Sequence, residues 1–305
     1  MNIFESNLQP MRYFAMKAKE KLVQWEKGIP EGLSTGFKSL DPYLMLEPDT
    51  YTIIAARPSM GKTALGMQII RNVAQGLRDS NDNGVCAVFS AEMSGRQLAV
   101  RMASEMCGVN SHMLRLGKGK PEDFRTVENQ LSEIEELPIW IDDGSAPSTK
   151  IMLQRLDELN HEMPVKCMLF DFVELGGDEG GTEELRISSI HKSLKAIAKT
   201  LHIPVIGLCQ VSRDVEKTTS KIPQMQHLRY SGMAEQVMDK GLTLMRPEYY
   251  TERGEVVSDV PIGNEMGTAF ANVIKFREGP VGGVWMAYRK EYAQFGDLQK
   301  EKMYL

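Results

Sequence analysis

The chain has 305 residues, 42% hydrophobic and 25% charged, with a formal net charge of −5 at pH 7. These are ordinary values for a soluble globular protein, with length enough to bury a core in one large α/β domain or two small ones. The acidic balance argues against a protein that coats duplex DNA, because non-specific affinity for DNA comes from many cations neutralising phosphates; it leaves a local basic channel open. No apolar run is long enough to cross a membrane, and MNIFESNLQP lacks a signal peptide's basic and apolar regions, which makes cytoplasmic localisation the default. Cys86, Cys107, Cys167 and Cys209 form no CxxC pair and read as reduced thiols, three of them inside apolar runs.

In chain order, residues 11–27 predict a helix with Met11, Phe14, Ala15, Ala18, Leu22 and Trp25 at roughly helical spacing. Residues 28–34, with Gly28, Pro30, Gly32 and Ser34, set it off from the rest of the chain. Its apolar side needs a cover, from a neighbouring subunit or from its own domain; periodicity alone does not choose between them. The expected division is a lead and linker helix over 1–30 and an ATPase domain over 31–305.

Residues 51–65 read YTIIAARPSMGKTAL, a buried strand followed by a tight loop and a helix. A polyphosphate needs several N–H donors converging on it, and a loop at a helix N-terminus aims backbone amides that way. Ser59, Met60, Gly61 and Ala64 therefore belong to a nucleotide-binding set, with Gly61 allowing close approach of the main chain. Lys62 can reach the β- and γ-phosphates, and the Thr63 hydroxyl can take one position on Mg²⁺. Ala56 stands where the usual pattern has its first glycine. A GKT tripeptide alone is common on surface turns; the strand before it and the helix after it make the difference.

Beyond the loop the pattern alternates: helix 64–77, strand 85–90, a helix opened by the Ser94/Gln97 capping box and ending near Gly108, then strand 137–141. Next come helix 149–161 and strand 168–172. Helix 183–201 carries Leu185, Ile190, Leu194, Ile197 and Leu201 on one face, and strand 205–209 succeeds it. This order predicts a mostly parallel sheet with helices on both faces. Strands 242–245, 269–276 and 284–288, with no helices between them, are expected to extend that sheet antiparallel.

Ligands of such sheets sit at the carboxyl ends of the parallel strands, so polar residues placed there are candidates. Asp171 is placed to hold the hydration shell of Mg²⁺, Glu92 to orient or deprotonate an attacking water, and Gln210 to sense the γ-phosphate. Each alone is equally a strand-end group satisfied by solvent.

With these residues in place the chain resembles the C-terminal ATPase domain of the DnaB-type replicative helicases, ring-shaped motors with a RecA-like P-loop core. The resemblance is carried by GIPEGLSTGFKSLD, ARPSMGKTAL, FSAEMS, LPIWIDD, SLKAIAKTLHIPVIGLCQVSR, LRYSGMAEQ and EYAQF. It implies ATP and Mg²⁺ as cofactors, with Lys62 and Thr63 at the phosphates and metal, Glu92 the catalytic glutamate, Asp171 the Walker B aspartate and Gln210 the γ-phosphate glutamine. Arg101 matches an arginine contacting nucleotide in the same subunit. Lys275 and Arg277 in IKFREGP match the lysine and arginine finger that reach the nucleotide of the next subunit; taken alone they alternate to one face of a strand and read as a solvated edge. A site shared between subunits requires head-to-tail assembly, and the family is hexameric, its linker helix packing on the adjacent subunit.

The resemblance further implies single-stranded DNA in the ring centre, faced by loops 176–183 and 211–229, the latter holding Arg213, Lys217, Lys221 and Arg229. Where the family's gripping segment reads Arg-Glu-Ser-Gly, this chain has Arg229, Tyr230, Ser231 and Gly232. Tyr230 is either a base-stacking group or a buried aromatic. Val237 and Arg186 stand where the family commonly has an aspartate and a glutamate. Loader and primase are implied partners, although family members engage primase through a helical N-terminal collar and this chain has a short lead, as in an excised domain or a compact phage or mobile-element version. The expected activity is ATP-driven translocation and unwinding; the alternatives are a RecA- or KaiC-like ATPase without unwinding, and a non-hydrolysing binding module.

Overall fold

The computed structural model describes residues 8–261, 264 and 266–298, so the outer ends of the expected segments 1–30 and 31–305 lie outside the described residues. It opens with α1 (Met11–Glu26), on which no residue is buried, and a short α2 (Asp41–Leu44). The alternating part runs through β1 (Tyr51–Ala56), α3 (Lys62–Asp79), β2 (Val85–Ser90), α4 (Gly95–Cys107), α5 (Ser111–Arg115), α6 (Pro121–Glu135), β3 (Ile139–Asp142), α7 (Thr149–Glu162), β4 (Val165–Asp171), α8 (Glu183–Leu201) and β5 (Val205–Gln210). Then come α9 (Ser231–Val237), β6 (Lys240–Met245), α10 (Pro247–Thr251), β7 (Thr268–Phe276), β8 (Gly282–Arg289) and β9 (Gln294–Asp297).

The nine strands among the described residues form one sheet in the order β3-β2-β4-β5-β1-β6-β7-β8-β9. From β3 to β6 neighbours are parallel; β7, β8 and β9 add on antiparallel. All six residues of β1 are buried, as a strand covered on both faces requires. Alternation divides them: Ile54 and Ala56 pack with Leu65, Ile69 and Val73 of α3 on one face, while Tyr51, Ile53 and Ala55 pack with Ile190 and Leu194 of α8 on the other. Each such Leu or Ile contributes about 1.5–3 kcal/mol of burial, so these two helices fix the level at which β1 delivers its loop.

The structure departs from the sequence reading in a few places. The buried face of α8 is Ile187, Ile190, His191, Leu194, Ile197 and Ala198, whereas Leu185 is exposed and Leu201 half-buried. α10 interrupts the segment between β6 and β7, and α6 and β9 are additional elements. β9 is clamped to α3: Gln68 donates to Phe295 O at 3.2 Å and accepts from Phe295 N–H at 2.9 Å. Lys275 and Arg277 are not at a sheet edge, since β7 runs between β6 and β8, although Lys275 lies beyond the last β8 pair, Val273–Gly282.

Candidate active site

The ends of the parallel strands coincide: Ala56 is in register with Gln210 and with Leu244, and Ser90 with Asp171. Chain leaving these ends surrounds a cleft of about 340 Å³ lined by Arg57, Ser59, Gly61, Lys62, Thr63, Glu92, Arg101 and Gln210 among others. The loop turns sharply because Ser59 and Gly61 both take left-handed backbone, at φ 68° and 93°. A side chain at Gly61 would also meet the Phe295 ring at 2.8 Å, so only glycine fits there. Gly61 caps α3 without any side-chain hydrogen bond to the helix's first turn, which leaves those amides for an anion. Met60, at 1% exposure, is the loop's apolar anchor and faces the core rather than the cleft.

At the cleft floor Thr63 Oγ1 donates to Asp171 Oδ2 at 2.8 Å, and Lys62 Nζ lies 3.4 Å from Asp171 Oδ1 and 4.0 Å from the centre of the Phe172 ring. Lys62 Nζ and Asp171 Oδ1 are both buried and neither has a hydrogen-bond partner. A buried ammonium and a buried carboxylate in this condition are costly unless a ligand completes them. An oxyanion beside Lys62 and a hard cation against Thr63 and Asp171 would do so, and the residues therefore fit a magnesium–polyphosphate pair. Glu92 is exposed at the cleft mouth; Arg101 reaches in from α4, its guanidinium 3.7 Å from Met93 Sδ.

Three residues to which the sequence reading assigns no role of their own complete the surroundings, Arg57 being placed only as a member of the phosphate loop. Arg246, 7% exposed, donates to Ser59 O at 2.8 Å and stacks over Tyr288 at 4.0 Å, holding the loop from outside. It directly follows β6, one residue past the strand's last, so the strand-end rule applied to β6 would have found it. Glu174 accepts from the Gln210 backbone N–H at 2.7 Å, and burial pushes its carboxyl above the usual range. Its signal is a carboxylate inside the apolar run FDFVEL. Arg57 donates to Glu216 at 2.9 Å and to Val211 O at 3.1 Å.

Lys275 and Arg277 are not in this cleft. β7 is antiparallel to β6, with Phe276 opposite Lys240 and Lys240 opposite Thr52, so both cations sit at the far end of β1. That is roughly 17 Å along the strands from the loop of their own chain at about 3.3 Å per residue. There Lys275 donates to Glu235 O, and Arg277 donates to Gln236 O at 2.6 Å and lies 3.3 Å from Asp239. Burial, then the charge of Arg277, push the Lys275 ammonium below its usual range.

Arg229 is exposed and Tyr230, in left-handed backbone at φ 53°, is half-buried. The Tyr230 hydroxyl donates to Glu183 at 2.8 Å, which joins loop 211–229 to the end of loop 176–183 and raises the phenol's pKa. Gly232 is exposed, and a side chain there would meet nothing within 4 Å. Arg186 turns inward to the carbonyls of Gly176 and Glu174, and Val237 packs against the α8 side of the core.

The family described as DnaB-like helicase C terminal domain matches residues 32–297. The chain belongs to that family. It is 35% identical over 273 residues to the replicative DNA helicase DnaB of Geobacillus stearothermophilus, covering 88% of this chain and 57% of that protein. To the replicative DNA helicase DnaC of Bacillus subtilis it is 34% identical over 278 residues, covering 90% and 58%. The chain thus spans somewhat under three fifths of these relatives' length. Among solved structures it superposes on an isolated ATPase domain with a TM-score of 0.81 at 26% identity, covering 93% of this chain and 98% of that one. It superposes on a DnaB-like replicative helicase, described with its interactions with primase, at a TM-score of 0.80 and 25% identity, covering 98% and 69%. The fold is accordingly the RecA-like one of this family's ATPase domains.

Proposed function

We propose that this chain is the motor part of a replicative DNA helicase, hydrolysing ATP to move along single-stranded DNA and separate the duplex ahead. The observation that carries this reading is the convergence of Lys62, Thr63, Asp171, Glu92, Arg101 and Gln210 on one cleft in a chain of the DnaB-like family. First-turn amides of α3, with Ser59, Gly61, Lys62 and Ala64, bind the phosphates; Thr63 and Asp171 hold Mg²⁺, which when bound neutralises charge on the phosphate oxygens. Glu92 orients and deprotonates the attacking water, Gln210 contacts the γ-phosphate, and Arg101 contacts the nucleotide within its own subunit. Lys275 and Arg277, too far from their own loop, serve the site of the adjoining subunit and stabilise charge in the transition state. Head-to-tail assembly is then obligatory, and closure gives a ring of the family's hexameric kind. Arg229, Tyr230 and Gly232, with loops 176–183 and 211–229, face single-stranded DNA in its channel; a loader and primase are further partners of the full assembly.

The test is strand displacement from a forked duplex. Lys62→Ala and Arg277→Ala are each expected to lose it. Mixed together they recover part of the ATPase, because one subunit type supplies the finger and the other the loop. An Arg277→Ala protein that hydrolyses ATP at the native rate refutes the shared site.

A further inference from the structure

Arg57 is the first residue of the phosphate loop, and its side chain faces away from β1 toward loop 211–229. One edge of the guanidinium donates to Val211 O at 3.1 Å, and Nε donates to Glu216 at 2.9 Å. Pro58 restricts Arg57 to extended backbone, so the side chain moves with the loop. The planar guanidinium fixes both acceptors at once in a way a lysine cannot.

Both acceptors belong to the segment that carries the channel cations. Val211 continues β5 one residue past Gln210, donates its N–H to Ala56 O at 3.1 Å and bridges Leu228, the residue before Arg229. Glu216 lies on a 3-10 turn, Arg213–Lys217, whose exposed ends are cations. Lys221 holds the same turn from its other side, through Glu216 O at 2.5 Å and an ion pair with Glu255 at 2.9 Å. The two ends of loop 211–229 and the Arg213–Lys217 turn, whose two cations are balanced by Asp214 and Glu216, therefore share one tether to the phosphate loop.

The tether has a competitor. Arg57 lines the cleft beside Lys62, and its partner Glu216 is 40% exposed, so that pair is weak and screened. A triphosphate in the cleft offers the same guanidinium a stronger, bidentate anion. We propose that Arg57 is a positioning residue that couples the two ligands: it grips Glu216 and the Val211 carbonyl when the cleft is empty and yields Glu216 when polyphosphate is bound, altering the hold of the Arg213–Lys217 turn on single-stranded DNA.

This rests on the helicase reading, and one set of measurements separates the two. Affinity of the full chain for a fluorescent oligo-dT is measured with and without a non-hydrolysable ATP analogue and Mg²⁺, in native, Arg57→Lys and Glu216→Gln proteins. The readout is the ratio of the two affinities, which is unmoved by a substitution that merely weakens one site. The native ratio is expected to depart from one by about 5–150-fold, the usual span of coupling between sites, and both variants to bring it at least about threefold closer to one. Glu216→Gln removes charge at an exposed position and keeps the inference testable if Arg57→Lys folds poorly. A native chain that binds no oligo-dT overturns the helicase reading and the inference with it. A native ratio far from one that persists in Glu216→Gln, and in Arg57→Lys where that folds, overturns the inference alone.

Discussion

Tyr51 and His191 face each other in the core, sharing a hydrogen bond of 2.7 Å between the phenol oxygen and Nδ1. Burial dominates both: it pushes the Tyr51 phenol well up and the His191 imidazole down to about 4. For a base the sign follows directly. The unfolded imidazole takes up a proton near pH 6.5 and the folded one does not until about 4, so its contribution is complete above 6.5 and is lost as pH falls through that window. The full window is worth about 3 kcal/mol at 1.36 kcal/mol per pKa unit. His191→Gln should flatten the loss of stability between pH 6.5 and 4, measured as the native-minus-variant difference in urea midpoints, while lowering stability at neutral pH. A difference that stays constant across those pH values refutes the assignment. Glu174 runs the other way. Its raised carboxyl contributes stability below the ordinary carboxylate range, which is lost as pH rises through the folded value.

At the scale of elements, what the sequence made legible is what local chemistry decides. The capping box at the head of α4 is one such case: Gln97 N–H donates to Ser94 Oγ, and Ser94 N–H donates to the Gln97 side chain at 3.0 Å. Since the cap residue Ser94 lies two residues after Glu92 and α4 carries Arg101, this cap sets the height of one cleft wall. Ser94→Ala should cost about 1 kcal/mol, seen as a lower urea midpoint with unchanged slope. A shift within error would mean that tertiary packing alone holds the helix start. Strand β2 and helix α8 were legible for the same local reason, but the buried face of α8 was not fully so. Counting apolar types included Leu185, which is exposed in the first turn of the helix, and skipped His191, polar by type yet buried through Tyr51. The contacts of Arg57, Glu174 and Arg246 around the cleft are tertiary facts. Nothing within a few residues of Arg57, Glu174 or Arg246 states that their partners are Glu216, the Gln210 amide and Ser59.

For the whole molecule the decisive feature is what the proposed head-to-tail assembly would complete. Lys275 and Arg277, the proposed finger cations, lie at the far end of β1 from the phosphate loop of their own chain. Its first helix presents Met11, Phe14, Leu22 and Trp25 to solvent, each at least 48% exposed. A helix of 16 residues with no buried side chain is marginal in water, and an apolar stripe of this kind is stabilised when a second surface covers it. If the adjoining subunit supplies that surface, helix docking and completion of the ATP site are one event, and hydrolysis depends on protein concentration. Phe14→Ser with Trp25→Ser should then leave the melting temperature of the α/β core nearly unchanged, because the described contacts of α1 bury nothing. The same pair should shift sedimentation from assembled to monomeric species and raise the protein concentration needed for half-maximal ATPase by about tenfold for each 1.4 kcal/mol of docking lost. An unchanged concentration dependence would show that α1 is dispensable for assembly, and that the subunits meet through the sheet-bearing domain alone.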